Sequence, residues 1–231
     1  MILKGFYAMD LLQVIVELRH SKPLKLFTPY EDLYQLLTGK ELPERQTPLP
    51  GFELTISEKR MRIVVDPWRT AIFLGDVPNK GYCVDNVMTV FKKISDLVTL
   101  PRLSRLGERS FWIEESELNF DELVASFKKK IFHPINIVQE AIDVGASFVL
   151  AFNEYKANIS FGPMESPQLE SALAFKAPKL PKVATFVDVD FYIKKEQEEL
   201  AERMLRDFVN SGLDYASEQS NKIISLLKEG Q

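Results

Sequence analysis

Two short runs hold the residue types from which chemistry could be built. The first is Asp188-Val189-Asp190 in a β-branched, aromatic stretch. Strand alternation puts both carboxylates on one face, close enough to share a divalent cation such as Mg²⁺ or Mn²⁺. A metal-dependent phosphoesterase or nuclease could be organised around them, with Asp188 and Asp190 as metal ligands and a further ligand from elsewhere. Hard cations want several oxygen ligands, so a bare pair of acids more often makes a solvated or salt-bridged polar face.

The second run is Arg105-Leu-Gly-Glu-Arg109. On a strand Arg105, Gly107 and Arg109 share a face, and the glycine leaves room above the backbone between two guanidinium forks. That arrangement suits a phosphate or carboxylate. Arg102 and Lys128 to Lys130 would widen it into a basic patch, the footprint a nucleic-acid partner needs. The competing expectation, and the favoured one, is that Arg105 and Arg109 pair with Asp188 and Asp190 across a sheet. It requires all four side chains on the same side of that sheet.

Nothing else carries a motif. Thr38-Gly39-Lys40 lacks the first glycine of a phosphate loop, Tyr34 standing in its place, and reads as a helix stop. No G-x-S-x-G or G-x-G-x-x-G occurs. Cys83, the single cysteine, has no sequence neighbour that would activate it and reads as a small buried hydrophobe. It also excludes an intrachain disulfide, and with only His20 and His133 beside it a structural zinc site has no ligands. Trp68 in a turn and Trp112 on a strand read as core or interface residues.

The elements that must position these runs follow from periodicity and punctuation. Asp10 to Arg19 is predicted as a strand. A helix is predicted from a capping box at Thr28 and Glu31, with Pro29 at its first position, to Gly39, and a proline-rich loop over Lys40 to Gly51. Met61 to Val65 and Thr70 to Leu74 form a hairpin around Asp66-Pro67-Trp68. Val84, Val87, Met88, Phe91, Ile94 and Val98 mark the buried stripe of a helix bounded by Pro101, and Leu103 to Ile113 is a long strand. Asn119 with Glu122 caps a third helix through Ile131. Beyond His133-Pro134, Ala146 to Phe152 and Tyr155 to Phe161 form a second hairpin. Four prolines from Pro163 to Pro181 mark an irregular stretch. Val183 to Ile193 is the clearest strand, and a long helix follows from about Glu196 to Leu227 with Gly212 at a kink or a close contact.

Strands grouped as hairpins with helices between the groups predict an α+β fold. Antiparallel strands would lie in two lobes, residues 1–132 and 133–231 or one continuous domain, with helices packed on the sheets and a long C-terminal helix. The 231 residues suffice for a core without staples, and 16 Phe, 7 Tyr and 2 Trp exclude disorder as the main state. With 29 Lys+Arg against 33 Asp+Glu, the net charge of −4 disfavours a nucleic-acid partner. The early acid Asp10 argues against a signal peptide, and the longest apolar run, Val144 to Phe152, is too short to span a bilayer. The cytoplasm is the expected compartment, with no membrane partner.

In order, the chain has an aliphatic strand ending Val16-Glu-Leu-Arg19, a central Arg105-x-Gly-x-Arg109 strand, and Val187-Asp-Val-Asp190 before a long amphipathic helix. This order resembles a sporadically distributed, functionally uncharacterised family of prokaryotic proteins. The resemblance implies a fold and no known role. The expected function is that of a non-catalytic binding or regulatory protein, self-associating through the apolar stripe of its last helix. Its other partner would be an unknown protein or a small anionic ligand. No cofactor is expected, Mg²⁺ or Mn²⁺ at the two aspartates being the alternative.

Overall fold

The computed structural model describes residues 9–21, 35–36, 39, 52–97, 100, 102–133, 135–177, 179–194 and 200–228. Eight strands form a single antiparallel sheet: β1 (Asp10–His20), β2 (Phe52–Ile56), β3 (Met61–Asp66), β4 (Arg69–Gly75), β5 (Leu103–Glu115), β6 (Ala146–Phe152), β7 (Tyr155–Glu165) and β8 (Val183–Ile193). Their order is β2-β3-β4-β1-β5-β8-β7-β6. Among the described residues, four α-helices of seven or more residues accompany them: α1 (Lys80–Leu97), α2 (Phe120–Lys130), α3 (Ser166–Ala172) and α4 (Glu202–Lys228). The fold is α+β, as the grouping of strands predicts. The strands on the two sides of His133 join edge to edge, because β5 pairs with β8 over ten residues from Leu106↔Ile193 to Glu115↔Ala184. No helix among the described residues is long and apolar enough to cross a membrane.

The two sheet faces have different chemistry because the strands alternate. Val14, Val16 and Leu18 of β1, Leu106 and Trp112 of β5, Ile159 and Phe161 of β7, and Val187, Val189 and Phe191 of β8 point to one side and are buried. There they meet Cys83, Val87, Phe91 and Ile94 of α1, Leu123 and Phe127 of α2, and Leu205, Phe208, Leu213 and Ile224 of α4. Phe191 is the hub, its ring centroid 5.5 Å from Phe208 and 4.9 Å from Tyr155. On the other side a smaller cluster of Phe111, Ile113, Ala184 and Phe186 is covered by Leu169 of α3. The rest of that second face carries charge.

Local signals explain most boundaries. Asn119 accepts from Glu122 N at 3.0 Å and the Glu122 carboxylate returns to Asn119 N at 3.0 Å, the capping box that starts α2. Asp66 Oδ1 accepts from Trp68 N at 2.9 Å, closing the β3–β4 turn. Gly39 adopts a φ of +70°, and its N–H bonds to Gln35 O at 2.7 Å, as a helix stop requires. The Thr28 and Glu31 cap, the loop over Lys40 to Gly51, Val98 and Pro101 lie outside the described residues.

Four expectations change. Phe52–Ile56 is a strand that no pattern signalled, and Ser166–Ala172 is a helix where prolines suggested irregular chain. Pro167 sits in that helix's first turn, where its missing N–H has no intrahelical acceptor to lose, and Gln168 caps Glu165 N at 2.7 Å. The last helix begins at Glu202 rather than near Glu196. Trp68 is exposed at 55%, so it is not a core residue, whereas Trp112 is buried.

Candidate functional site

The charged face is organised by the β5–β8 register. Gly107 stands opposite Tyr192, Arg109 opposite Asp190 and Phe111 opposite Asp188, so Arg105, Arg109, Asp188 and Asp190 share one side. Arg109 reaches its diagonal neighbour Asp188, and Arg105 reaches further, over Gly107, to Asp190. Arg109 Nε and Nη2 donate to Asp188 Oδ1 and Oδ2 at 2.8 and 2.6 Å, a bidentate fork. Arg105 Nη2 donates to Asp190 Oδ1 at 2.5 Å and its Nη1 to Glu17 Oε1 of β1 at 2.9 Å. Asn158 of β7 donates to Asp190 Oδ2 at 3.2 Å. Arg19 and Arg69 add contacts to Glu17 at 2.7 and 3.9 Å, and Arg69 pairs with Asp66 at 3.0 Å. Six strands are thus bound by a lattice in which four arginines balance four carboxylates.

Gly107 has a different role from the one expected. A Cβ there would lie 2.7 Å from Arg105 Nη1 and 3.0 Å from its Cζ. The Arg105 guanidinium folds back over the glycine and fills the room that an anion held between two forks would need. It is held flat beneath charge and ring, its Cζ 4.7 Å from the Tyr192 centroid, while Arg109 lies 5.1 Å from that of Phe111. Asp188 also draws the Arg109 pKa upward, chiefly through their hydrogen bond.

The expected basic patch does not assemble. Lys128, Lys129 and Lys130 belong to α2, whose Phe127 packs on Phe161 on the helix-covered side, so the sheet separates them from Arg105 and Arg109. Lys130 donates to Leu227 O and Lys128 to Gln139 O. Among the described residues no group of three or more His, Cys, Asp or Glu is placed to hold a metal ion. All four oxygens of Asp188 and Asp190 already accept hydrogen bonds, so a cation bound there would have to displace arginine or asparagine donors. A thermal-shift titration with millimolar Mg²⁺ or Mn²⁺ is therefore expected to leave the melting temperature unchanged; a rise that Asp188→Asn abolishes would restore the metal reading.

One group escaped the sequence reading altogether. Glu108 lies between the two arginines in sequence but faces the opposite way, into the helix-covered core. It is fully buried, beside Val16 on β1 and Phe191 on β8. Neither carboxyl oxygen has a hydrogen-bond partner among the described residues. Above it sits Gly212 of α4, where a Cβ would lie 2.7 Å from Oε2. Gly212 thus marks a close approach of helix to sheet. Burial pushes the Glu108 carboxyl well above its ordinary range, and the nearby Ser110 hydroxyl, which stands outside hydrogen-bond geometry, offsets only part of that. The Cys83 thiol is raised by its own burial and by Glu108, which fits an inert core cysteine. The signal was present as an acid on the apolar phase of the alternation Leu106, Glu108, Ser110, Trp112. His20 is also buried, with Nε2 3.2 Å from Thr70 Oγ1, and desolvation lowers its pKa to about 4 against the pull of Asp66. His133 is exposed at the end of α2.

No family model matches the chain. No curated protein matches it either. Among solved structures, Methanococcus jannaschii TBP is similar over 89% of this chain and 98% of its own, at 10% identity and a TM-score of 0.31. A likeness of that size carries no argument about function.

Proposed function

We propose that this is a non-catalytic binding or regulatory protein that works as a homo-oligomer. The carrying observation is β6. Among the described residues it ends the sheet, and its seven residues, Ala146 to Phe152, include no charge and no proline. Val149 is 62% exposed, Phe152 46% and Phe148 39%. Edge strands of lone proteins are usually blunted by charge, proline or a bulge, so an edge of this composition calls for a partner. The opposite edge, β2, carries Glu53, which pairs with Arg62 at 3.7 Å.

The surface differs from the one first expected. The stripe of α4 is used internally, since Leu205, Phe208, Leu213, Ala216, Ile223, Ile224 and Leu227 are all buried on the protein's own core. Leu226 alone of its large apolar residues is exposed among those described. The neutral lattice on the charged face supports a structural role for Arg105, Arg109, Asp188 and Asp190. Catalysis would need one of them to leave its partner. Light scattering after gel filtration is expected to give a mass above the 26.5 kDa of the chain, falling on dilution. A clean monomer at all concentrations would overturn the oligomer reading.

A further inference from the structure

From the geometry of β6 we infer that the partner is a second copy of this chain, paired antiparallel through β6 about a two-fold axis at Val149. The inference rests on the self-association reading and specifies its contact. The β6–β7 hairpin closes through Phe152↔Tyr155 around Asn153-Glu154, with Asn153 at a φ of +52°. A two-residue turn of this kind closes on a hydrogen-bonded pair. Hydrogen-bonded and non-hydrogen-bonded pairs then alternate, which makes Val149↔Asn158 a non-hydrogen-bonded pair. The N–H and C=O groups of Ser147, Val149 and Ala151 therefore point away from β7, to the free edge.

Seven residues centred on Val149 offer a self-complementary register. With Val149 opposite its own copy, Ser147 faces Ala151, Phe148 faces Leu150 and Ala146 faces Phe152. The hydrogen-bonding positions of the free edge meet one another, as an isologous contact requires. No charge is brought opposite a like charge, and the large Phe152 meets the small Ala146. The side chains also fall on the correct faces. Phe148 and Phe152 lie on the helix-covered side, their rings 5.9 Å from Phe161 and 5.4 Å from Tyr215. They are the rim of the core, half covered. A second copy would bring its own Phe148 and Phe152 against them and carry the apolar layer across the dyad. On the other face Ser147 touches Ser160 at 2.9 Å, and Val149 is the most exposed of the strand's large apolar residues. A charge at 149 therefore enters no packed core, and the fold should tolerate it.

The test uses the position at the axis. Val149→Lys and Val149→Glu each set two like charges directly opposite, which disfavours pairing. Each variant alone is expected to run as a folded monomer at concentrations where the native protein is dimeric, and Val149→Thr to remain dimeric. An equal mixture of the lysine and glutamate variants should recover the dimer mass with one chain of each kind, and high salt should weaken that recovery. Recovery also shows that both variants are folded. A native dimer with a mixture that stays monomeric, or single variants that stay dimeric, would overturn this register and leave self-association standing. A native protein monomeric at every concentration would overturn both.

Discussion

Replacing Glu108 by glutamine or methionine is expected to abolish a loss of stability that the native protein suffers as pH rises above 4.5 toward the raised pKa of this carboxyl. The sign follows from where the protons sit. The ordinary glutamate value is 4.5, and burial raises that of Glu108 well above it. Above pH 4.5 the unfolded chain has lost this proton while the folded chain keeps it. The native state then holds one more proton, and stability falls by about 1.4 kcal/mol per pH unit until the folded pKa is reached. His20 acts in the other direction. Its ordinary value of 6.5 drops to about 4 on folding, so between those limits the unfolded chain holds the extra proton and stability rises with pH.

Between pH 4.5 and 6.5 the two contributions oppose each other, the fall from Glu108 offsetting the rise from His20 until the carboxyl's raised pKa is reached. Above 6.5 the His20 contribution is complete, and any further fall belongs to Glu108. In Glu108→Gln the His20 rise up to pH 6.5 stands alone and is followed by a flat line. Glu108→Met should add stability at pH 8 as well, because it removes an unpartnered polar group from the core. Urea unfolding at fixed protein concentration from pH 4 to 9 measures this directly. Native and Glu108→Gln curves that run parallel from pH 4.5 upward would show that burial does not shift the Glu108 pKa, and would overturn the prediction.

The second large effect concerns the lattice, and it separates two pairs that look equivalent in sequence. Asp190→Ala is expected to cost about 2–3 kcal/mol, and Asp188→Ala about 1 kcal/mol or less. The reason is what each substitution leaves behind. Without Asp190, Arg105 keeps only Glu17 while its side chain is 12% exposed and pinned over Gly107, so its charge is poorly rehydrated. Without Asp188, Arg109 is already 49% exposed and turns to water. An Arg105→Ala, Asp190→Ala cycle should show coupling above that of the Arg109–Asp188 pair. The reverse order in chemical denaturation would mean that the bidentate geometry of Arg109 outweighs the burial of Arg105.

These pairs mark how far sequence reasoning reaches. Period-two alternation places Arg105 with Arg109, and Asp188 with Asp190, because it depends only on neighbours in the chain. That β5 lies beside β8, some eighty positions away, is a property of the sheet order. No local pattern contains it. The pairing was legible as chemistry, since two arginines and two acids on strands need partners. The third acid, Glu17, was not legible, because β1 lies on the other edge of β5. The Lys128 to Lys130 patch failed for the same reason: closeness in sequence says nothing about which side of the sheet a helix covers. β2 was missed because an edge strand needs only one apolar face, and α3 because prolines in a first turn and prolines in a loop look alike.

The position of β5 has a consequence for how the chain reaches this structure. One flank of β5 is occupied by β1, which precedes it, and the other by β8, which a ribosome delivers only after everything between Glu115 and Val183. During that interval the first five strands have all their backbone partners except along the outer flank of β5. Arg109 waits there without Asp188, Arg105 without Asp190, and Glu108 without the last helix above it. Such an intermediate presents a thirteen-residue adhesive border, so a chaperone or dilute conditions should matter most while the middle of the chain is being made.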